Sequence, residues 1–484
     1  MSERLHPGSV AAAPPTDGAH RRLGRRYLAA VLAALALGGV LGLFLAAEAG
    51  WPGRHLVSVG QDHVLFTLHG VIMVLLVLLP ALPGALGNLV LPEQAGAARA
   101  AAPWAGSAGF ACHVAGAALV LATMARGGAD SGWTFTLPYA AVSSLAVGPL
   151  AVGAALLALA AWWNALGLVA TLARERTVPW AALPATAWSL WFTALGLLVG
   201  LPVLAAALLL AAAGRLGPLA LFDPAAGGDP QRHAALFWFG AHAVLYLMLL
   251  PALGVVSDVL LARSRREPRR RLLAGAFGAT ALLALVGWGM HLLGSVRPPE
   301  QQVVFAGLSL LVVIPVAAVL GAWLEALATG VERVDPALVH GVWAVFSLLV
   351  AVLGTLLLGS PAAGPLLRGT GFETGLWHYL AVGGVLTALM AGLYHWWPAL
   401  TGRTVGGARG LWGAVLTGLG VNTAFLPRLV TGVRGVPSRL HELPPSAAGV
   451  APWLAIGAAL LVAGLTVVAV DLLSSLRRPP AGTE

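Results

Sequence analysis

His69 and His378 are the side chains whose type and setting point most directly to chemistry. His69 lies in F-T-L-H-G-V-I-M-V-L-L-V-L-L-P-A-L-P-G-A-L-G-N (Phe66 to Asn88), and His378 in L-W-H-Y-L-A-V-G-G-V-L-T-A-L-M-A-G (Leu376 to Gly392). Both runs are apolar and long enough to cross a bilayer. An ionisable group left unpaired in hydrocarbon is costly, so such a residue marks a functional site by default. Neutral imidazole carries one free lone pair and is a common axial ligand of heme iron. The two histidines are therefore read as clamping one heme between two transmembrane helices. The alternative is an interhelical hydrogen bond with no cofactor.

The elements that must position them follow from composition. The chain has 484 residues, 58% hydrophobic and 10% charged, which excludes a soluble globular protein and makes it a polytopic membrane protein. Apolar stretches long enough to span fall near 27–48, 62–92, 102–126, 141–173, 183–214, 234–262, 272–294, 302–330, 337–360, 371–399, 407–427 and 450–476. The expected fold is thus all-α, with twelve transmembrane helices over residues 27–476. A disordered cytoplasmic arm is expected over 1–26 and a short cytoplasmic tail over 477–484. The run after the arm is long enough to span, which argues against a cleaved signal peptide. The chain has no lysine, and its net charge of +9 is carried by arginine. In a membrane protein arginine reports topology before it reports nucleic acid, and no nucleic-acid partner is expected. Arg99, Arg174, Arg176, Arg263, Arg265, Arg266, Arg269, Arg270, Arg271, Arg333, Arg403 and Arg409 fall in loops on the N-terminal side. Both termini are therefore expected in the cytoplasm, with the chain in a bacterial-type inner membrane. Cys112 is the single cysteine and C-x-x-C-H is absent, which excludes an internal disulfide and covalent heme attachment. Twelve spans also suit a transporter without heme. Two matching halves are not visible, however, and the intramembrane ionisable groups read mainly as histidines.

Several motifs in order resemble one family, subunit I of the heme-copper terminal oxidases, the cytochrome c oxidase type. The resemblance runs from about residue 62 to about 445. Phe66 to Pro92 is similar to the family's helix II, and S-G-W-T (Ser131 to Thr134) to its outer G-W-T segment. Leu201 to Ala207 and Phe222 to Pro230 resemble its helix V and the loop that follows. L-F-W-F-G-A-H-A-V-L-Y-L-M-L-L-P (Leu236 to Pro251) is similar to its helix VI without a gap. Ala391 to Arg403 and Asn422 to Arg439 continue in register. The resemblance implies a respiratory heme protein that works beside subunit II-like and III-like partners, with cytochrome c or quinol as donor. It also implies His69 and His378 as axial ligands of the low-spin heme, whose type the residues do not specify. Arg439 falls on the second of two arginines that pair with heme propionates in the family; Ser438 stands at the first.

The resemblance breaks at the oxygen site. The family's high-spin heme ligand lies two residues before the helix X low-spin ligand, and here that residue is Leu376, which has no lone pair for iron. His395, 17 residues beyond His378, lies about 25 Å further along a helix and is no substitute. Of the family's three copper ligands, His242 and His291 remain and Met290 replaces the third. Two imidazoles and a thioether could still hold Cu(I), but a metal-free polar pocket is the preferred expectation. Tyr246, one turn after His242, falls on the family's active-site tyrosine. The family's proton-path residues are replaced by Val244, Arg99 and Val319, and valine cannot relay a proton. Glu373, near the outer end of helix X, has no assigned role. The resulting expectation is electron transfer through one low-spin heme, with the oxygen-reducing centre and proton paths lost. An active terminal oxidase reducing O2 is the alternative, and a heme-free transporter the third.

Overall fold

Backbone amides in hydrocarbon have no water to bond, so long apolar runs are forced into helices. The computed structural model describes residues 18–477 apart from 52, 138, 218–220, 225–226, 267–268, 293–298 and 361. Its twelve spanning helices are α1 (Ala19–Gly50), α2 (Val59–Gln94), α3 (Pro103–Ala125), α4 (Val147–Arg174), α5 (Ala185–Leu216), α6 (Pro230–Leu261), α7 (Arg270–Leu292), α8 (Val303–Ala328), α9 (Pro336–Gly359), α10 (Gly371–Thr401), α11 (Ala408–Val433) and α12 (Pro445–Ser475). Among the described residues, extended pairing is confined to the isolated bridges Ser264–Val331 and Thr370–Pro437.

Eleven of the expected spans lie within a few residues of these helices. The first is longer. α1 starts at Ala19, so Arg21, Arg22, Arg25 and Arg26 ride on its opening turns and the arm expected through residue 26 ends sooner. Hydropathy misses such turns because arginine stems lie along apolar surface while the guanidinium stays in water. Arg21 is also paired with Glu93 at the end of α2. The expected tail contributes Arg477; residues 1–17 and 478–484, and Ala225 and Ala226 of the loop before α6, lie outside the described residues.

α6 and α10 form the centre: 83% and 78% of their most apolar windows are buried inside the protein, against 17% for α1. α11 and α12 pack through small residues, as helices must where lipid is as apolar as leucine. A methyl group on Gly420 would come within 2.6 Å of the Leu461 Cα, and one on Gly464 within 2.5 Å of the Thr417 amide nitrogen.

The central helices are irregular near the two histidines. α2 widens into π-helix over Ile72–Leu78 and Ala81–Gly87, around Pro80 and Pro83, which lack the amide hydrogen for a regular ladder. α10 widens over Tyr379–Leu386, which contains Gly383 and Gly384.

Acids partnered within the bundle or at its helix ends are more numerous than the sequence suggests. The Asp258 carboxylate accepts from the Ala185 and Thr186 amides, each at 3.0 Å, and so caps α5 from inside the bundle. Asp471 accepts from the Tyr394 hydroxyl at 3.1 Å. Arg263, 2% exposed, holds Asp335 through two bonds of 2.7 and 2.8 Å and places a third nitrogen 3.1 Å from the Nδ1 of His395. This cluster joins the ends of α6, α9 and α10. Burial pushes the Asp335 carboxyl upward, but the bonds from Arg263 and the Leu338 amide, with the charges of Arg263 and Arg333, outweigh it and leave Asp335 below the usual carboxylate value.

Candidate functional site

His69 stands on α2 three residues before its first π segment, and His378 on α10 directly before the π segment there. The Nδ1 of His69 lies 2.9 Å from the Gly38 carbonyl oxygen on α1. The Nδ1 of His378 lies 2.7 Å from the Thr374 carbonyl oxygen in its own helix. A carbonyl oxygen only accepts, so each Nδ1 carries the proton and each Nε2 of the neutral ring keeps its lone pair. This is the second-nitrogen anchoring that orients a metal-binding imidazole. The π segments that follow the two histidines, Ile72–Leu78 on α2 and Tyr379–Leu386 on α10, are in contact. Both are half-buried.

The surroundings shape the pair. Gly42 leaves room for the edge of His69: a Cβ there would meet its Cε1 at 2.8 Å. The Phe425 ring on α11 stacks on His378 with centroids 4.3 Å apart and planes 20° apart. One residue further on, the Tyr379 hydroxyl donates to Asn422 Oδ1 at 2.8 Å, fixing α10 against α11. The Gly132 amide donates to the Thr67 hydroxyl at 2.9 Å, which seats the S-G-W-T segment on α2. Arg439 lies 5.0 Å over the Phe66 ring, one turn from His69. Its loop is held by the Ser438 amide donating to the Gly369 carbonyl at 2.8 Å. Sequence positions 66–69, 131–134, 378 and 439 thus meet at one end of α2 and α10. Glu373 also finds a place: its Oε2 accepts from the Gly369 amide at 2.8 Å, capping the start of α10. Two nitrogen donors with free lone pairs, one in a glycine-made recess, fit a porphyrin iron.

A second group forms on α6 and α7. The Nδ1 of His242 lies 3.0 Å from the Nε2 of His291. Trp238 stacks on His291 with centroids 3.7 Å apart and planes 5° apart. Tyr246 faces His242 at 4.9 Å. The register read from the sequence therefore does bring His242, His291 and Tyr246 together. Met290 is on the same short 3-10 turn as His291, Gly287–Leu292.

Leu376 is buried, with a methyl carbon 3.1 Å from where a Cβ on Gly354 would stand. It seals α10 against α9. The donor set there does not fit a second iron, because leucine offers no lone pair. Val244 and Val319 are buried core residues. Arg99 is at the surface, 3.2 Å from Glu175. His395 is held by Arg263, and the buried His340 ring stacks on Tyr394, so neither joins the two groups above.

The fold has a known counterpart. A heme-copper terminal oxidase dimer determined by cryo-EM contains a chain that superposes with a TM-score of 0.83 at 17% identity, over 96% of this chain and 85% of that one. The family model for cytochrome c and quinol oxidase polypeptide I matches residues 22–464, so the chain belongs to that family. Among its relatives, cytochrome c oxidase subunit 1 of Thermostichus vulcanus is 28% identical over 461 residues, covering 94% of this chain and 83% of that protein. Quinol oxidase subunit 1 of Bacillus subtilis is 26% identical over 439 residues, covering 88% and 67%.

Sequence reasoning also missed a polar group at the end of α1. Glu48 at the end of α1 meets His55 and His441 from two loops. The available signal was a carboxylate inside an otherwise apolar run.

Proposed function

We propose that this subunit I homologue keeps the bis-histidine low-spin heme and has lost the oxygen-reducing centre, and that it carries electrons within a respiratory membrane complex. The observation that carries this is the contrast at α10. His378 is anchored through Nδ1 with Nε2 free, while Leu376, two residues earlier, is packed into the α9 interface. A heme iron with imidazole on both faces passes single electrons and has no open position for oxygen. His69 and His378 supply the two nitrogens. Phe425 would back the His378 ring, Gly42 would leave room for the His69 ring, and Arg439 would offer positive charge for the propionates.

The proton side is consistent with this function. Val244 and Val319 put aliphatic packing at two relay positions, and Arg99 puts a surface cation at the third. Both termini face the cytoplasm, subunit II-like and III-like chains lie alongside, and the donor is cytochrome c or a quinol, the substrates named for the relatives above.

One observation favours an active oxidase instead: His242, His291 and Tyr246 still share a pocket. Heme extraction from the purified chain, together with its spectrum under carbon monoxide, separates the two. One heme per chain with a spectrum unmoved by carbon monoxide supports the proposal. A second heme that binds carbon monoxide refutes it.

A further inference from the structure

The end of the bundle that carries the chain termini holds a cavity outside both histidine pairs. It lies between the start of α1, the end of α2, the start of α3 and the end of α4, and measures about 140 Å3. A single water needs at least about 10–15 Å3, so the space admits on the order of ten waters, or one group of several atoms.

Its floor is polar and built into the bundle. Asn88, Asn164 and Thr171 line it and are 7%, 4% and 4% exposed. The Asn88 amide donates to the Gly84 carbonyl at 2.8 Å and to Asn164 Oδ1 at 2.7 Å. With its oxygen taken in this way, Asn164 presents its amide hydrogens as donors at the cavity floor. The Thr171 hydroxyl donates to the Gly167 carbonyl at 2.8 Å and accepts from the Ala101 amide at 3.3 Å, which pins the loop that closes one side.

The rim is cationic. Arg22 and Arg26, one turn apart on α1, both line the cavity and are exposed. Like charges at that spacing repel, and an anion between them relieves the repulsion. Among the described residues no carboxylate lines the cavity. Glu93 and Glu175, at the neighbouring ends of α2 and α4, are engaged by Arg21 and Arg99 instead. α3 opens at Pro103 with no side chain capping it, so the positive end of its dipole adds to the field of the two arginines. Such a wall repels cations and draws anions, and the planar guanidinium fork matches phosphate oxygens.

We infer that this cavity binds a net-anionic phosphate group, with Arg22 and Arg26 on its oxygens and the Asn164 amide as a donor from the floor. An anionic lipid headgroup and free phosphate share that chemistry.

Native mass spectrometry of the full-length chain in detergent, with added phosphatidylglycerol and with phosphatidylcholine as the zwitterionic control, tests this. The expected result is one phosphatidylglycerol retained per chain in preference to phosphatidylcholine. Arg22→Gln and Arg26→Gln each weaken retention about tenfold or more, the loss of a hydrogen bond to a charged group. Ser107→Trp, at an exposed lining position, does the same by filling the cavity with no change of charge. Arg25→Gln removes an equal charge from the same turns of α1 but outside the wall, and changes retention less than about twofold. Competition by millimolar inorganic phosphate, with the same variant pattern, assigns the cavity to free phosphate; retention unmoved by it assigns the cavity to a lipid headgroup. Binding of neither probe above the phosphatidylcholine level, a loss in Arg25→Gln equal to that in Arg26→Gln, or indifference to Ser107→Trp overturns the inference.

Discussion

The two histidine pairs of this bundle differ in what their second nitrogens do. His69 and His378 each give Nδ1 to a backbone carbonyl and so keep Nε2 available. His242 and His291 bond each other, and an indole covers one of them. The side chain and the membrane setting are the same, but the first pair keeps nitrogens that an iron could use and the second already satisfies part of its own demand. An imidazole becomes a ligand through the partner of its other nitrogen. Leu376 sharpens the contrast, because it places a packing residue where a second heme would need a donor.

The largest expected effect separates the pairs outright. His69→Ala or His378→Ala abolishes the low-spin optical spectrum, while His242→Ala or His291→Ala leaves it; equal loss from all four, in folded protein, would erase the distinction. Next, Leu376→His combined with Met290→His creates a second, carbon-monoxide-reactive heme, read in a difference spectrum. No gain would mean that packing around Gly354 closes the site as firmly as the missing donor does.

Asp335→Asn, remote from both pairs, leaves Arg263 buried without its partner and costs about 3 kcal/mol in thermal or denaturant unfolding, with the heme spectrum unchanged. The same carboxylate gives a pH dependence. Its folded value is lowered, so its contribution is present above the ordinary carboxylate value of about 3.9 and is lost as pH falls through the folded value. The wild type therefore loses melting temperature below about pH 4 more steeply than Asp335→Asn. The smallest effect is local. Gly42→Ala drives a methyl toward the His69 Cε1, costs about 1–3 kcal/mol, and shifts the low-spin band without removing it.

Much of the architecture was legible because hydrocarbon leaves the backbone few options. Twelve apolar runs became twelve helices, and the helix VI register brought His242, His291 and Tyr246 together from well-separated positions. What escaped were features without a local signature. The opening turns of α1 carry arginines that lower hydropathy while the helix continues. The π segments beside His69 and His378 depend on how α2 and α10 pack. Asp258 and Asp471 stand in runs that read as apolar, and their partners come from other helices. Glu48, His55 and His441 are brought together from α1 and two distant loops, with no spacing rule to announce them. Glu373 had no role in the sequence because its partner is the Gly369 amide, a backbone group.

A density map of the purified protein at side-chain resolution tests the central claim most directly. The account predicts a porphyrin between His69 and His378, both bound through Nε2, with Leu376 packed on Gly354 and no second porphyrin beside it. Density for a porphyrin next to Leu376, or direct contact of the two imidazoles with nothing between them, would contradict it.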